Sequence, residues 1–413
     1  MTNQIHTTLN QFAETYVKLV LAVGQHDADY VDAFYGPAEW LAEAKAQQKP
    51  LENIKNEALQ AKLEIELPDS STEEELVQLR YRYLTTQLSA LITRVEMLCG
   101  KKLSFDEEAK ALYDAIPPTF DEAHFQKLVT ELDALVPGKG SIPERVENYR
   151  RKFTIANGKL DAVFQAAIHE CRERTKKYIR LPENEQFHLE YVHDKAWSGY
   201  NWYKGNNESL IQINTDLPIF LERAIDLAAH EGYPGHHVYN CLLETEFART
   251  RGWVEFTAYA LFSPQSLIAE GTANFGIDVA FPGNERLEFE REVLFPIAHL
   301  DKAEAENYSA VQAIAAKLSY AGNEAARRYL NGSCSRDDAA QWLVQYALMS
   351  PERAQQRTRF FDQYRSYVIN YNLGQDLVKR YIENRGGIAE HPEKRWTEFL
   401  KLISSPRLPS GLL

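Results

Sequence analysis

Apolar residues recur at three- and four-residue intervals along most of the chain, and that period predicts helices. In residues 5–23, Leu9, Phe12, Tyr16 and Leu19 fall on one face before breaks at Gly24 and Gly36-Pro37. Residues 38–64, rich in Ala, Lys, Glu and Gln, read as helix with a solvated face, and residues 72–99 as another. Pro117-Pro118 and Gly138-Lys139-Gly140 punctuate the next helices. From Pro143 to Ile179 the positions Val146, Tyr149, Phe153, Leu160, Val163, Phe164 and Ala167 predict one long scaffold helix. It carries a His169-Glu170 pair with no further histidine in reach, which reads as surface.

The period changes over residues 181–216. Trp197, Tyr200, Trp202 and Tyr203 precede Gly205-Asn206-Asn207, and Leu210-Ile211-Gln212-Ile213-Asn214 comes after, which predicts a β-hairpin about a Gly-Asn turn. Thr215 or Asp216 is placed to cap a helix with Pro218 in its first turn, running to His230-Glu231. Beyond Asp278 the helical period returns, most clearly over 338–349 and 352–371, with no internal repeat. The fold class expected is mainly α: a large multi-helix array with a small β-hairpin or sheet beside a metal-binding helix. Residues 1–185 form a helical N-terminal region and 186–413 the metal-site region, packed as one integrated unit.

Composition narrows the partners. The 413 residues include 19 Phe, 22 Tyr and 6 Trp, enough to fill a sizeable core. A net charge of −13 disfavours nucleic acid and anionic membrane surfaces, which attract basic patches. No apolar run reaches the ~18–20 residues needed to span a bilayer, and Met1-Thr2-Asn3-Gln4-Ile5-His6 has no signal-peptide character, so a cytoplasmic location is expected. Cys99, Cys171, Cys241 and Cys334 are scattered, as reduced thiols are, and Cys241 reads as a small buried residue.

The densest chemistry is His230-Glu231-Gly232-Tyr233-Pro234-Gly235-His236-His237. Imidazoles beside a carboxylate supply both metal ligands and a proton acceptor, as a zinc hydrolase requires. The common motif places its second histidine four residues after the first. Here position 234 is proline, and on a straight helix His236 stands roughly 120° off the face of His230, while His237 regains the face but lies ~10.5 Å along the axis. Pro234, flanked by Gly232 and Gly235, breaks the helix, and the break is what aims the ligand. Looping out two residues brings in His236; looping out three brings in His237. A third ligand is expected from Glu270, a carboxylate in an otherwise small and apolar segment, with Asn274 one turn on to support it or His230. The stretch Tyr364, Tyr367, Tyr371 offers a phenol for an oxyanion, although tyrosines at helical spacing are more often core.

These residues carry a resemblance. The run His230 to His237, Glu270-Gly271, Tyr329-Leu330-Asn331-Gly332 and Tyr371-Asn372-Leu373-Gly374 resemble the bacterial domain-of-unknown-function 885 family, a distant relative of gluzincin metallopeptidases. The resemblance covers residues 190–385 and implies a gluzincin-like fold. It implies zinc held by His230, His236 and Glu270, with His236 favoured over His237. It also singles out Tyr371 as the catalytic phenol and Leu210–Asn214 as a strand edge against which an extended substrate pairs.

The function expected is hydrolysis of an amide bond in a small peptide, with one zinc or other divalent ion and Glu231 as the proton carrier. A hydrolase of non-peptide amides or esters needs the same ligands. A catalytically silent helical binding protein predicts no bound metal. A di-iron bundle calls for paired Glu-x-x-His elements, and only Glu190-Tyr191-Val192-His193 has that spacing.

Overall fold

The structure is a computed structural model describing residues 2–65, 74–195, 197 and 199–413, with side chains from residue 8 onward. The expected helix start at 72–73 and the N-terminal Met1 lie outside the described residues.

Helix α1 (Thr2–Val23) buries Leu9, Phe12, Tyr16 and Leu19, as the period predicted. Strand β1 (Val31–Phe34) comes next and pairs antiparallel with a distant short strand near residue 259. Residues 38–64 form two helices, α2 (Ala38–Gln47) and α3 (Leu51–Glu64), not one. Gln48 turns into the left-handed region at φ 45° and Pro50 holds the next N-cap, because proline disfavours a helical residue before it. Helix α4 (Glu75–Leu98), α5 (Phe105–Tyr113, opened by a Ser104/Glu107 capping box) and α6 (Glu122–Leu135) complete the first half of the array.

The long helix expected from 143 to 179 is also broken, into α7 (Ile142–Arg151) and α8 (Leu160–Lys176). The backbone between them is taken by a remote segment: Ile155 N–H donates to Ile219 O at 2.9 Å and Leu221 N–H to Phe153 O at 3.0 Å. His169 is exposed, as expected for a surface pair.

A three-stranded sheet comes after α8, formed by β2 (Gln186–Val192), β3 (Gly199–Gly205) and β4 (Glu208–Asn214). The β3–β4 hairpin is the one the sequence predicts, but β4 is not an edge. It lies centrally in the order β2-β4-β3, parallel to β2 and antiparallel to β3. The free edge beside the site therefore belongs to β3, because the unforeseen β2 covers the other flank of β4. Phe187, Leu189, Ile211 and Ile213 face Phe164 and Ile168 of α8 across the sheet.

Helix α9 (Glu222–Leu227) starts later than predicted. Asp216 does not cap it, since its carboxylate accepts the Asp194 N–H at 2.8 Å. The helix runs on into a wide π-helical turn, Ala228–Gly232, and after the Pro-Gly break the chain resumes as α10 (His236–Leu242). Strand β5 (Ala258–Ala260), the partner of β1, precedes α11 (Pro264–Ala280), which is almost wholly buried. The remaining array comprises α12 (Glu285–Phe289), α13 (Phe295–Ala298), α14 (Ala305–Lys317), α15 (Tyr320–Leu330), α16 (Arg336–Tyr346), α17 (Pro351–Tyr364), α18 (Ile369–Glu383) and α19 (Pro392–Ile403).

The expected helix over 352–371 breaks at Arg365, φ 51°. Glu108 captures that turn, taking the Ser366 N–H at 3.1 Å, the Ser366 hydroxyl at 2.6 Å and the Arg365 guanidinium at 2.6 Å. The fold is mainly α, with two small sheets, and one apolar cluster runs from Leu9 to Leu412 through both halves of the chain. Among the described residues no helix is long and apolar enough to cross a membrane.

Candidate metal centre

The break between α9 and α10 rests on one residue without a side chain. A Cβ on Gly235 would stand 1.9 Å from the carbonyl oxygen of His230 and 2.4 Å from that of Ala229. No other residue fits, and the contact lets Gly235 N–H donate to Ala229 O at 2.9 Å and fold the chain back on itself. The first residue of α10 is thereby returned to the level of His230. The two Nε2 atoms of His230 and His236 lie 3.1 Å apart, their rings nearly perpendicular at 84°.

Helix α11 supplies the third group. Glu270 Oε2 lies 3.2 Å from His230 Nε2 and 3.7 Å from His236 Nε2, and the three ligand-type atoms all fall within 4.8 Å of one another. Oε2 is shut off from solvent and accepts no hydrogen bond. The other oxygen, Oε1, accepts the Tyr367 hydroxyl at 2.8 Å. Asn274, one turn along, donates through Nδ2 to Tyr371 O at 2.9 Å and so presents Oδ1 to His230 Nδ1 at 3.0 Å. A carbonyl only accepts, so this chain of bonds puts the His230 proton on Nδ1 and leaves Nε2 with a bare lone pair. Two imidazole nitrogens and an orphaned carboxylate oxygen facing one another fit a cation.

The electrostatics agree. Burial pulls the His236 pKa down, but Glu270, Glu231 and Asp32 outweigh it and hold it at about 9. Burial raises the Glu270 carboxyl, yet the two imidazoles beside it, His230 and His236, take it far below the usual range. The cluster therefore holds a proton where a metal ion would compete for the same lone pairs.

His237 is not part of this group. Fully buried, it turns to the sheet, with Nδ1 2.8 Å from Ser209 Oγ and Nε2 2.9 Å from Glu185 Oε1. Two looped-out residues, not three, bring the second imidazole, that of His236, to His230. Glu185 is also bonded by the Tyr233 hydroxyl and by Arg172 at 2.6 Å. Burial raises its pKa, and the bonds from His237, Tyr233 and Arg172 overcome that and bring it down to about 2. Cys241 is buried 3.8 Å from His237 Nε2, on this side of the helix.

Glu231 is buried on the π-helical turn, and its carbonyl accepts Asn201 Nδ2 of β3 at 2.7 Å. Its carboxylate lies close under that strand: a Cβ on Gly199 would be 3.4 Å from Glu231 Oε1 and 2.5 Å from Leu227 Cδ2. Helix α18 brings Tyr371, because α11 and α18 touch backbone to backbone where a Cβ on Gly271 would meet Gly374 O at 2.5 Å. The Tyr371 ring lies 5.8 Å from Tyr367, and burial with the nearby Glu270 charge raises its pKa. Among the described residues its hydroxyl makes no hydrogen bond.

Two neighbours escaped the sequence reading. Tyr367 rather than Tyr371 touches the carboxylate of Glu270; it belongs to the same tyrosine stretch, but spacing alone could not choose between them. Asp32 of β1 accepts the Tyr200 hydroxyl, and burial pushes its pKa up to about 6 against the pull of Tyr200 and His236. Its only signal was an acid amid Tyr30, Val31, Ala33 and Phe34.

No family model and no curated protein matches the sequence. Among solved structures the chain is similar to a "putative lipoprotein" from Colwellia psychrerythraea, at 14% identity and a TM-score of 0.51 over 87% of this chain. The match spans 65% of that protein's chain. A structure of BsuCP aligns at 11% identity and a TM-score of 0.49, over 96% of this chain and 91% of that one. A "putative lipoprotein of unknown function" from Shewanella oneidensis aligns at 13% and 0.37, over 89% of this chain and 79% of that one. The first likeness concerns the fold alone.

Proposed function

We propose that this protein is a metal-dependent hydrolase of amide bonds, acting on small peptides, with one zinc ion held by His230, His236 and Glu270. The observation that carries the reading is the convergence of three electron-pair donors around the orphaned Glu270 Oε2, beside a carboxylate, Glu231, on the same turn as His230. Imidazole and carboxylate donors suit zinc, and other divalent ions accept the same set. When bound, such an ion supplies Lewis acidity, polarising a carbonyl and bringing the pKa of water toward ~7.

The chain's own groups do the rest. Glu231 accepts a proton from water and passes it to the departing nitrogen. Asn274 holds the His230 ring through Nδ1, and Tyr367 holds Glu270 through Oε1. The Tyr371 phenol, raised in pKa and without a hydrogen-bond partner among the described residues, stays protonated and donates to the oxyanion. Strand β3 passes over Glu231 with its outer edge unpaired among the described residues, and an extended peptide laid along it adds a strand to the sheet. The resemblance to the domain-of-unknown-function 885 family and the gluzincins supports this reading.

Elemental analysis of untagged protein tests it, with one divalent ion per chain expected and its loss expected in Glu270→Ala. Cleavage of a peptide library, set against an acyl-amino-acid library, then separates peptidase from other amidase activity. Protein without stoichiometric metal, or a Glu231→Gln variant with undiminished hydrolysis, would falsify the proposal.

A further inference from the structure

The fully buried arginines of the described residues are paired, whereas a few half-buried ones are not. Arg80 meets Glu255 at 2.6 Å, Arg395 meets Glu383 at 3.3 Å and Arg327 reaches Asp106 at 3.1 Å. Arg357 of α17 is one of the half-buried ones: it has no ion pair and no hydrogen bond among the described residues, and its Nε is closed to solvent and unsatisfied. Burial lowers its pKa from the ordinary value, with Tyr371 the only group acting against that and no carboxylate contributing. A guanidinium keeps its charge in any folded protein, and its five N–H donors need acceptors. The rings around it, Phe360 at 4.3 Å, Phe361 at 5.8 Å and Tyr371 at 5.9 Å from Cζ, stabilise a cation through their faces but accept no strong hydrogen bond.

Position gives this unsatisfied cation a meaning. Tyr371 packs against both Tyr367, whose hydroxyl bonds Glu270, and Arg357, so two tyrosine rings join the metal-type cluster to the guanidinium. The chain of contacts runs from Glu270 to Tyr367 at 2.8 Å, from Tyr367 to Tyr371 at 5.8 Å between rings, and on to Arg357. An unpaired cation two aromatic rings beyond the proposed hydrolytic site suits an anion on the substrate, and the fork of a guanidinium matches the two oxygens of a carboxylate.

We propose that Arg357 binds a carboxylate of the substrate, foremost the terminal carboxylate of a peptide, and so sets the chain end from which the enzyme cleaves. The consequence for cleavage rests on the hydrolase reading above; the carboxylate site does not. An Asp or Glu side chain carries the same chemistry, and the experiment separates the two sources.

N-acetylated tripeptide mixtures are prepared with free carboxyl ends, with amidated ends, and with amidated ends plus an internal Asp or Glu. Hydrolysis by the metal-loaded enzyme is followed by mass spectrometry. Free-acid peptides are expected to be cleaved about 10- to 100-fold more efficiently than amides, mainly through KM, as loss of a charge-assisted bidentate contact implies. Arg357→Gln removes that preference and Arg357→Lys keeps part of it. An advantage confined to internal Asp or Glu, and lost in Arg357→Gln, also supports the carboxylate site and names the side chain as its source. Equal handling of acids and amides, or a preference that survives Arg357→Gln, overturns the proposal. Equilibrium dialysis of the same mixtures against Glu231→Gln protein reads retention without turnover. Acids retained through Arg357 while the wild type cleaves nothing would sink the hydrolase reading and leave the carboxylate site standing; failure to retain acids over amides sinks the site itself.

Discussion

Two histidine–glutamate clusters sit back to back at the start of α10, built from adjacent residues. His236 looks toward α11, where Glu270 Oε2 has no hydrogen-bond donor and the imidazole nitrogens crowd at 3.1 Å. His237 looks toward the sheet, where both ring nitrogens are bonded and Glu185 is met by His237, Tyr233 and Arg172. Composition is nearly the same; satisfaction is opposite. The complete network fixes the helix in place, and the incomplete one leaves donor atoms facing one another unsatisfied, a difference that residue type alone does not reveal.

The largest effect that can break this comparison is a crossed pair of alanine substitutions. His236→Ala is expected to abolish stoichiometric metal while changing the thermal stability of the metal-free protein little. His237→Ala is expected to keep the metal but lose about 3 kcal/mol of stability, because Glu185 stays buried without its partner. Metal content and melting curves of both variants decide, and the same phenotype in both would erase the distinction.

Glu231→Gln comes next, with kcat reduced about 10²- to 10⁴-fold and metal retained, as expected for a group that carries protons rather than ligates.

The brace also makes a pH prediction. The Glu185 pKa in the fold, about 2, lies below its ordinary value of 4.5, so its contribution is present above about 4.5 and lost as pH falls toward 2. Chemical unfolding across that window should show a loss on the order of 3 kcal/mol. Glu185→Gln should flatten it. The smallest effect belongs to Asn274→Ala, which frees the His230 ring and is expected to weaken metal affinity about 10- to 100-fold in competition with a chelator.

Legibility followed the range of the interactions. Helix periods and the Pro-Gly break are written within a few residues, so α1, the β3–β4 hairpin and the interruption after His230 could be read directly. Breaks imposed from afar could not. Nothing near Phe153 announces its bonds to residues 219–221, and nothing near Arg365 announces Glu108. The choice between His236 and His237 rested on Glu185 and Ser209, 52 and 28 residues away from His237, whose roles no local pattern marks. Strand β2 was missed although Phe187, Leu189 and Tyr191 alternate with polar residues, because its partner β4 lies parallel and beyond an intervening strand.

The crossing of Gly271 and Gly374 has a mechanical consequence. No cushion of methyl groups separates the two backbones, so α11 and α18 engage like meshed gears, and a displacement of one is handed to the other undamped. The carboxylate on the first and the phenol on the second therefore keep their spacing while the pair moves. Any motion that carried one would carry both.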